Sequence, residues 1–117
     1  MVTSRAKMMV LIYDIRDHID RYKRFIPPFS ENRWQSYLRG ELEVSIIEGD
    51  IETLYVDNWG HPLFTIVADS RLRRDTFLRE GDDSHYVVGC RAKIERAIFS
   101  EVSQPIVTRI WIEKGDA

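Results

Sequence analysis

The stretch RLRRDTFLREGDDSHYVVGCRAKIE, residues 71–95, decides how the rest of the chain is read. In its first part Leu72, Thr76 and Leu78 fall on one side while Arg71, Arg74 and Asp75 stay solvated, and Asp69 or Ser70 stands ready as a cap. That spacing predicts a helix over about 70–79. Gly81 in REGDD is the expected left-handed stop. Val88, Cys90, Ala92 and Ile94 then alternate with Gly89, Arg91, Lys93 and Glu95, the period of a strand with one buried face. A helix is thus handed directly to a strand.

Upstream of this stretch the period is already two. Leu42, Val44 and Ile46 alternate with Glu43 and Ser45, Leu54 and Val56 with Thr53 and Tyr55, and Phe64, Ile66 and Ala68 with Thr65 and Val67. EGDIE separates the first two runs and DNWGHP the next two, the second with the turn chemistry of a hairpin. Downstream, Ile106, Thr108, Ile110 and Ile112 alternate with Val107, Arg109, Trp111 and Glu113. The order strand, strand, strand, helix, strand, strand predicts a mostly-β domain: a five-stranded Greek-key barrel of the OB type over residues 41–117, with the helix between its third and fourth strands.

Residues 1–40 read as a helical extension. Met8, Ile12, Ile15, Ile19, Tyr22 and Ile26 follow at spacings of three and four, and Pro27-Pro28 ends the run. A second reading takes MMVLIYDI as a buried strand followed by a shorter helix. A short helix from Arg33 to Leu38 follows, with Ser30 or Asn32 as cap and Gly40 as stop. The stripe from Met8 to Ile26 exceeds what one helix on a small barrel buries, which predicts a homodimer formed through it.

With 117 residues, 44% hydrophobic and 31% charged, the chain can bury a core without staples. The longest apolar run, Met8 to Tyr13, is far too short to span a bilayer, which predicts a cytoplasmic protein without a membrane partner. Cys90 is the single cysteine and reads as a small core residue. His18, His61 and His85 lie on three separate elements, so neither a metal site nor a cofactor is expected. Asp82 and Asp83, with Asp50, read as solvated turn carboxylates. Charge is uneven: residues 1–40 hold eight Lys and Arg against four acids, and the remainder nine against fifteen. An acidic second part weighs against strong nonspecific binding to phosphate.

VDNWGHPLFTIVADSRLRRDTFLREGDDSHYVVGCRAKIER, residues 56–96, resembles the tRNA-anticodon-binding-like OB domains in its D-x-x-G hairpin, its helix, its LxxGD turn and its VxGxxxxI strand. The resemblance extends over Glu41 to Glu113, with WQSYLRGE before it. It implies a non-enzymatic binding module for single-stranded nucleic acid. The long striped helix has no counterpart in that class, and the acidic turn departs from its basic surfaces. Outward on the expected barrel stand Tyr55, Thr65, Val67, Arg91, Lys93, Arg109 and Trp111, with Trp59 and His61 at the hairpin tip. The candidate nucleic-acid residues are therefore Tyr55, Trp59 and Trp111 for stacking and Arg91, Lys93 and Arg109 for phosphates. The competing expectation has Tyr55 and Trp111 covering the sheet against the N-terminal helix, and the domain acting as a protein-interaction or dimerisation unit.

One enzymatic expectation stands beside these. KMMVLIYDIRD, residues 7–17, resembles the first strand of the CRISPR-associated ferredoxin-like endoribonucleases, which implies Asp14 as a metal ligand at a dimer interface. The strand and helix order downstream is not that of a ferredoxin-like chain.

Overall fold

The computed structural model describes residues 8–20, 30–69, 73–99 and 104–114. Six strands form one sheet: β1 (Met8–Asp14), β2 (Val44–Val56), β3 (Pro62–Ala68), β4 (Arg73–Leu78), β5 (Arg91–Ala97) and β6 (Ile106–Lys114). The helix α1 (Glu31–Leu38) accompanies them among the described residues, together with 3₁₀ turns at Ile15–His18 and Asp83–His85. Every pairing is antiparallel, in the order β1-β6-β5-β2-β3-β4. The mostly-β expectation holds. The sheet is open, however, with β1 and β4 at its two edges, and carries six strands where five were expected in a closed barrel.

The longest strand organises the rest. Residues Val44–Asp50 of β2 pair with β5, and Gly49–Val56 pair with β3, so the two halves of one strand serve opposite wings of the sheet. The changeover sits at Gly49, where a Cβ would lie 2.0 Å from the carbonyl oxygen of Val67. EGDIE is therefore no turn: its glycine admits the neighbouring backbone inside a continuous strand.

One face of the curled sheet encloses the main core. Ile51, Phe64, Ile66, Phe77, Ala92, Ile94, Ile110 and Ile112 are buried there with Tyr13 and Tyr86. Phe64 packs against Phe77 and Tyr86 at ring separations of 5.7 and 4.9 Å. Cys90 lies half-buried against the same cluster. The curl brings the turn after β4 onto β1: at Gly81, whose φ is 77°, a Cβ would meet the carbonyl oxygen of Ile12 at 2.8 Å. Gly81 is left-handed as expected, but it follows a strand.

A second, smaller core lies on the outer face. Ser30 caps α1 by accepting a hydrogen bond from the amide of Arg33, and its own amide is bound by the carbonyl of Phe99. The helix then lays Trp34 and Tyr37 against Ile15, Ala97 and Phe99. A bulge in β6 between its partners for Glu95 and Arg96 moves Ile106 to this outer core and Val107 to the main one, which reverses the facing expected at the start of β6.

Two expected helices are corrected. Residues 73–78 of the expected 70–79 helix form β4, laddered to β3 from Leu63↔Leu78 to Ala68↔Arg73; residues 70–72 lie outside the described residues. Pairing satisfies the exposed polar edge of β3 and buries Phe77, which a solvated helix would not do. At the N-terminus, Met8–Asp14 is a strand paired with β6, as the second reading of MMVLIYDI had it. Of the stripe continuing to Ile26, residues 21–26 lie outside the described residues.

Candidate functional site

Four of the six candidate nucleic-acid residues come together. Arg91, Lys93, Arg109 and Trp111 occupy the outer face of β5 and β6, where the register sets Lys93 opposite Trp111 and Glu95 opposite Arg109. Tyr55 and Trp59 do not join them. Tyr55 lies five residues beyond Asp50, the last β2 residue paired with β5, about 16 Å along the strand at the usual rise. Trp59 stands at the hairpin tip beyond it.

The charges on the outer face are largely matched. Arg91 is bound by Glu48 at 3.2 Å, by Asp50 at 3.1 Å and by Asp69. Arg109 lies 3.6 Å from Asp14 and 3.8 Å from Glu95, with its guanidinium over the ring of Tyr37. Lys93 places its ammonium 4.9 Å from the centroid of Trp111. Both residues are half-buried.

Beneath α1 the same face carries a buried polar network. Tyr37 Oη donates to Glu95 Oε1 at 2.9 Å, and Thr108 Oγ1 donates to that oxygen at 2.7 Å. Burial, then the adjoining Glu95 carboxylate, pushes the Tyr37 hydroxyl up to about 12. Asp14 is 6% exposed and accepts from Arg16 through both oxygens, from the backbone amide at 3.0 Å and from Nη2 at 2.6 Å. Burial opposes the charge on Asp14, yet the Arg16 hydrogen bonds outweigh it, with Arg109 adding to them, and hold the carboxyl below its ordinary value. The arrangement fixes the start of the 3₁₀ turn and ties β1 to β6. Among the described residues no cluster of three or more His, Cys, Asp or Glu is arranged to hold a metal ion. Asp14, the ligand implied by the endoribonuclease resemblance, caps its own turn.

The hairpin between β2 and β3 has a different character. Asp57 Oδ1 accepts from the amides of Trp59 and His61 at 2.9 and 2.8 Å, and Oδ2 meets His61 Nδ1 at 3.0 Å. This closed turn holds Trp59 81% exposed, with Val56 also exposed beside it.

Two cavities lie away from the six candidate residues. One of about 320 Å³ caps the end of the β2–β5 ladder, lined by Leu42, Val44, Ala97, Ile98 and Pro105 with Arg33 and Arg96 among its polar groups. The other, about 120 Å³, lies between Ile46 and Ile47 of β2 and Arg73 and Asp75 of β4. Ser45 and Arg96 line both. The expected strand stops at Glu95 and so leaves out Arg96. Simple alternation from Ala92 and Ile94 would have turned it inward.

Among the described residues no helix is long and apolar enough to cross a membrane. The chain matches no protein-family model. A search of curated proteins likewise finds no similar sequence.

Proposed function

We propose that this chain is a non-enzymatic binding module whose partner is a polypeptide. The observation that carries this reading is the neutralisation of its aromatic-bearing face. Nucleic-acid affinity comes mainly from cations that trade counterions for phosphates. Here Arg91 meets three carboxylates and Arg109 two, so a phosphate at either must compete with acids already in place. Exposed apolar side chains, Trp59 foremost, are better suited to a protein surface, where aromatic anchors supply much of the binding energy.

A second reading keeps single-stranded nucleic acid. It is favoured by the pairing of Lys93 with Trp111, a cation beside a stacking surface. Titration of a labelled oligothymidylate at low salt separates the two. The polypeptide reading predicts no saturable binding. Binding that weakens steeply with salt and is lost in Trp111→Ala would install the nucleic-acid reading instead.

As to the finer architecture, we read β2 to β6 as a distant, unclosed variant of the OB arrangement. The support is the single core shared by all five strands. Against it stand β4 in place of the expected helix and the added strand β1. Self-association was expected through the N-terminal stripe; its first seven residues are edge strand β1, from which Met8 and Leu11 remain exposed to a second copy.

A further inference from the structure

We propose that the free edge of β2 at Val44–Ile46 takes up an extended polypeptide segment as an added strand, with an acidic side chain of that segment bound by Arg96. This inference rests on the polypeptide reading above and assigns the place and the chemistry of the partner.

The direction of the backbone groups follows from the register. The amide of Asp69 donates to the carbonyl of Glu48 at 2.9 Å, so Glu48 turns its backbone polar groups toward the β3 side. In an antiparallel ladder alternate residues point the same way. Ile46 and Val44 therefore point to that side as well, while Ser45 and Ile47 bond to Arg96 and Ile94 of β5. Yet β3 ends at Ala68, paired with Gly49. Among the described residues no strand continues alongside Val44 and Ile46, and their donors and acceptors on this side have no partner. Their side chains are 38% and 47% exposed. A short run of unpaired backbone beside exposed β-branched residues is a template for strand addition.

The two cavities flank this edge, and Arg96 connects them. Arg96 Nε is buried and makes no hydrogen bond. Its guanidinium faces the ring of Phe77 at 6.0 Å, and among the described residues no carboxylate forms an ion pair with it. The neighbouring Arg73 and Asp75 neutralise each other at 3.2 Å. An uncompensated guanidinium in a partly dry groove calls for an anion. An added strand lies one strand spacing from β2 and two from β5, about 10 Å from the Arg96 backbone. Its residue opposite Ser45 points to the same face as Arg96, and a Glu and an Arg side chain together close that distance. The smaller cavity receives this side chain. The larger one, with its apolar lining, receives the segment's continuation past Val44. A nucleic acid offers no alternating amides and carbonyls to satisfy the edge, so the ligand is a peptide.

The test uses random linear peptides displayed on phage, selected against the full chain, with synthetic copies of the enriched sequences titrated afterwards. The proposal expects alternating sequences with one Asp or Glu at an inward position. Replacing that acid by its amide, or Arg96→Gln in the protein, weakens binding about tenfold or more. Methylating the peptide nitrogen that faces Ile46 abolishes binding, and so does Ile46→Pro, which removes a donor from β2; the methylated peptide carries the test if that variant does not fold. Val88→Ala, an exposed position before β5 at the opposite end of the β2–β5 ladder, leaves this binding unchanged. Enriched peptides insensitive to Arg96→Gln and to methylation, but lost in Trp59→Ala, would overturn the edge site while leaving a polypeptide partner standing. No enrichment, together with oligothymidylate binding, would overturn both.

Discussion

Replacing Tyr37 by Phe removes one hydroxyl from the interior of the outer-face core and leaves the ring contacts with Trp34 and Phe99 in place. What is lost is a 2.9 Å hydrogen bond to a carboxylate only 7% exposed. A hydrogen bond to a charged group contributes about 1.5–3 kcal/mol. Glu95 keeps Thr108 as a donor, which places the loss toward the lower end, about 1.5–2 kcal/mol. The melting temperature should fall by about 6–8 °C at neutral pH.

The pH dependence supplies a second signature. Tyr37 is raised to about 12 in the folded chain from its ordinary value of 10.0. A raised pKa contributes stability that is complete below the unfolded value and is lost as pH rises through the folded one. The parent should therefore lose about 3 kcal/mol between pH 10 and 12 through this group alone, while Tyr37→Phe has nothing there to titrate. Urea unfolding followed by tryptophan fluorescence measures both proteins, and their difference cancels every other titrating group. The gap at pH 7 should shrink above pH 10 and reverse its sign by about pH 12. A gap that stays constant to pH 12, or that is already absent at pH 7, would refute the buried network.

Three other outcomes are expected. Gly49→Ala drives a methyl into the carbonyl of Val67 and should destabilise by about 3 kcal/mol, the upper end for overpacking, in the same urea assay. Asp14 is held below its ordinary value, so its contribution is present above about pH 4 and disappears as pH falls through the folded pKa; Asp14→Asn should flatten that acid limb in thermal melts. Trp59→Ala touches no core and should change stability by less than about 0.5 kcal/mol, as read by differential scanning calorimetry.

How much of this was legible depended on where the alternation of strands stayed intact. β3 and most of β6 alternate cleanly, and DNWGHP announces its turn, so those elements and the outward facing of Lys93 and Trp111 could be read directly. β1 hid behind its bulge. The register slips between Leu11 and Tyr13, at Ile12, which breaks the alternation of the strand and leaves the four-residue spacing of Met8 and Ile12 to imitate a helix. β4 hid for a different reason. Its inward positions are Arg73, Asp75 and Phe77, and the two charged ones line a cavity at the open end of the sheet, which erases the apolar alternation. Gly49 reads as a turn because glycine marks turns and close backbone approaches alike, and only its approach to the Val67 carbonyl, opposite its partner Ala68, distinguishes them. The matching of Arg91 by Glu48 and Asp50 needs the β2–β5 register across some forty residues, which no local pattern carries.

The free edge of β2 is open to direct observation by amide hydrogen exchange, residue by residue, in the unliganded chain. Ser45 and Ile47 donate into the β5 ladder and should be protected, whereas Val44 and Ile46 should exchange at rates near those of exposed loops. That alternation is the result the account predicts. Equal protection of all four amides would mean that the edge is already paired, and would contradict it.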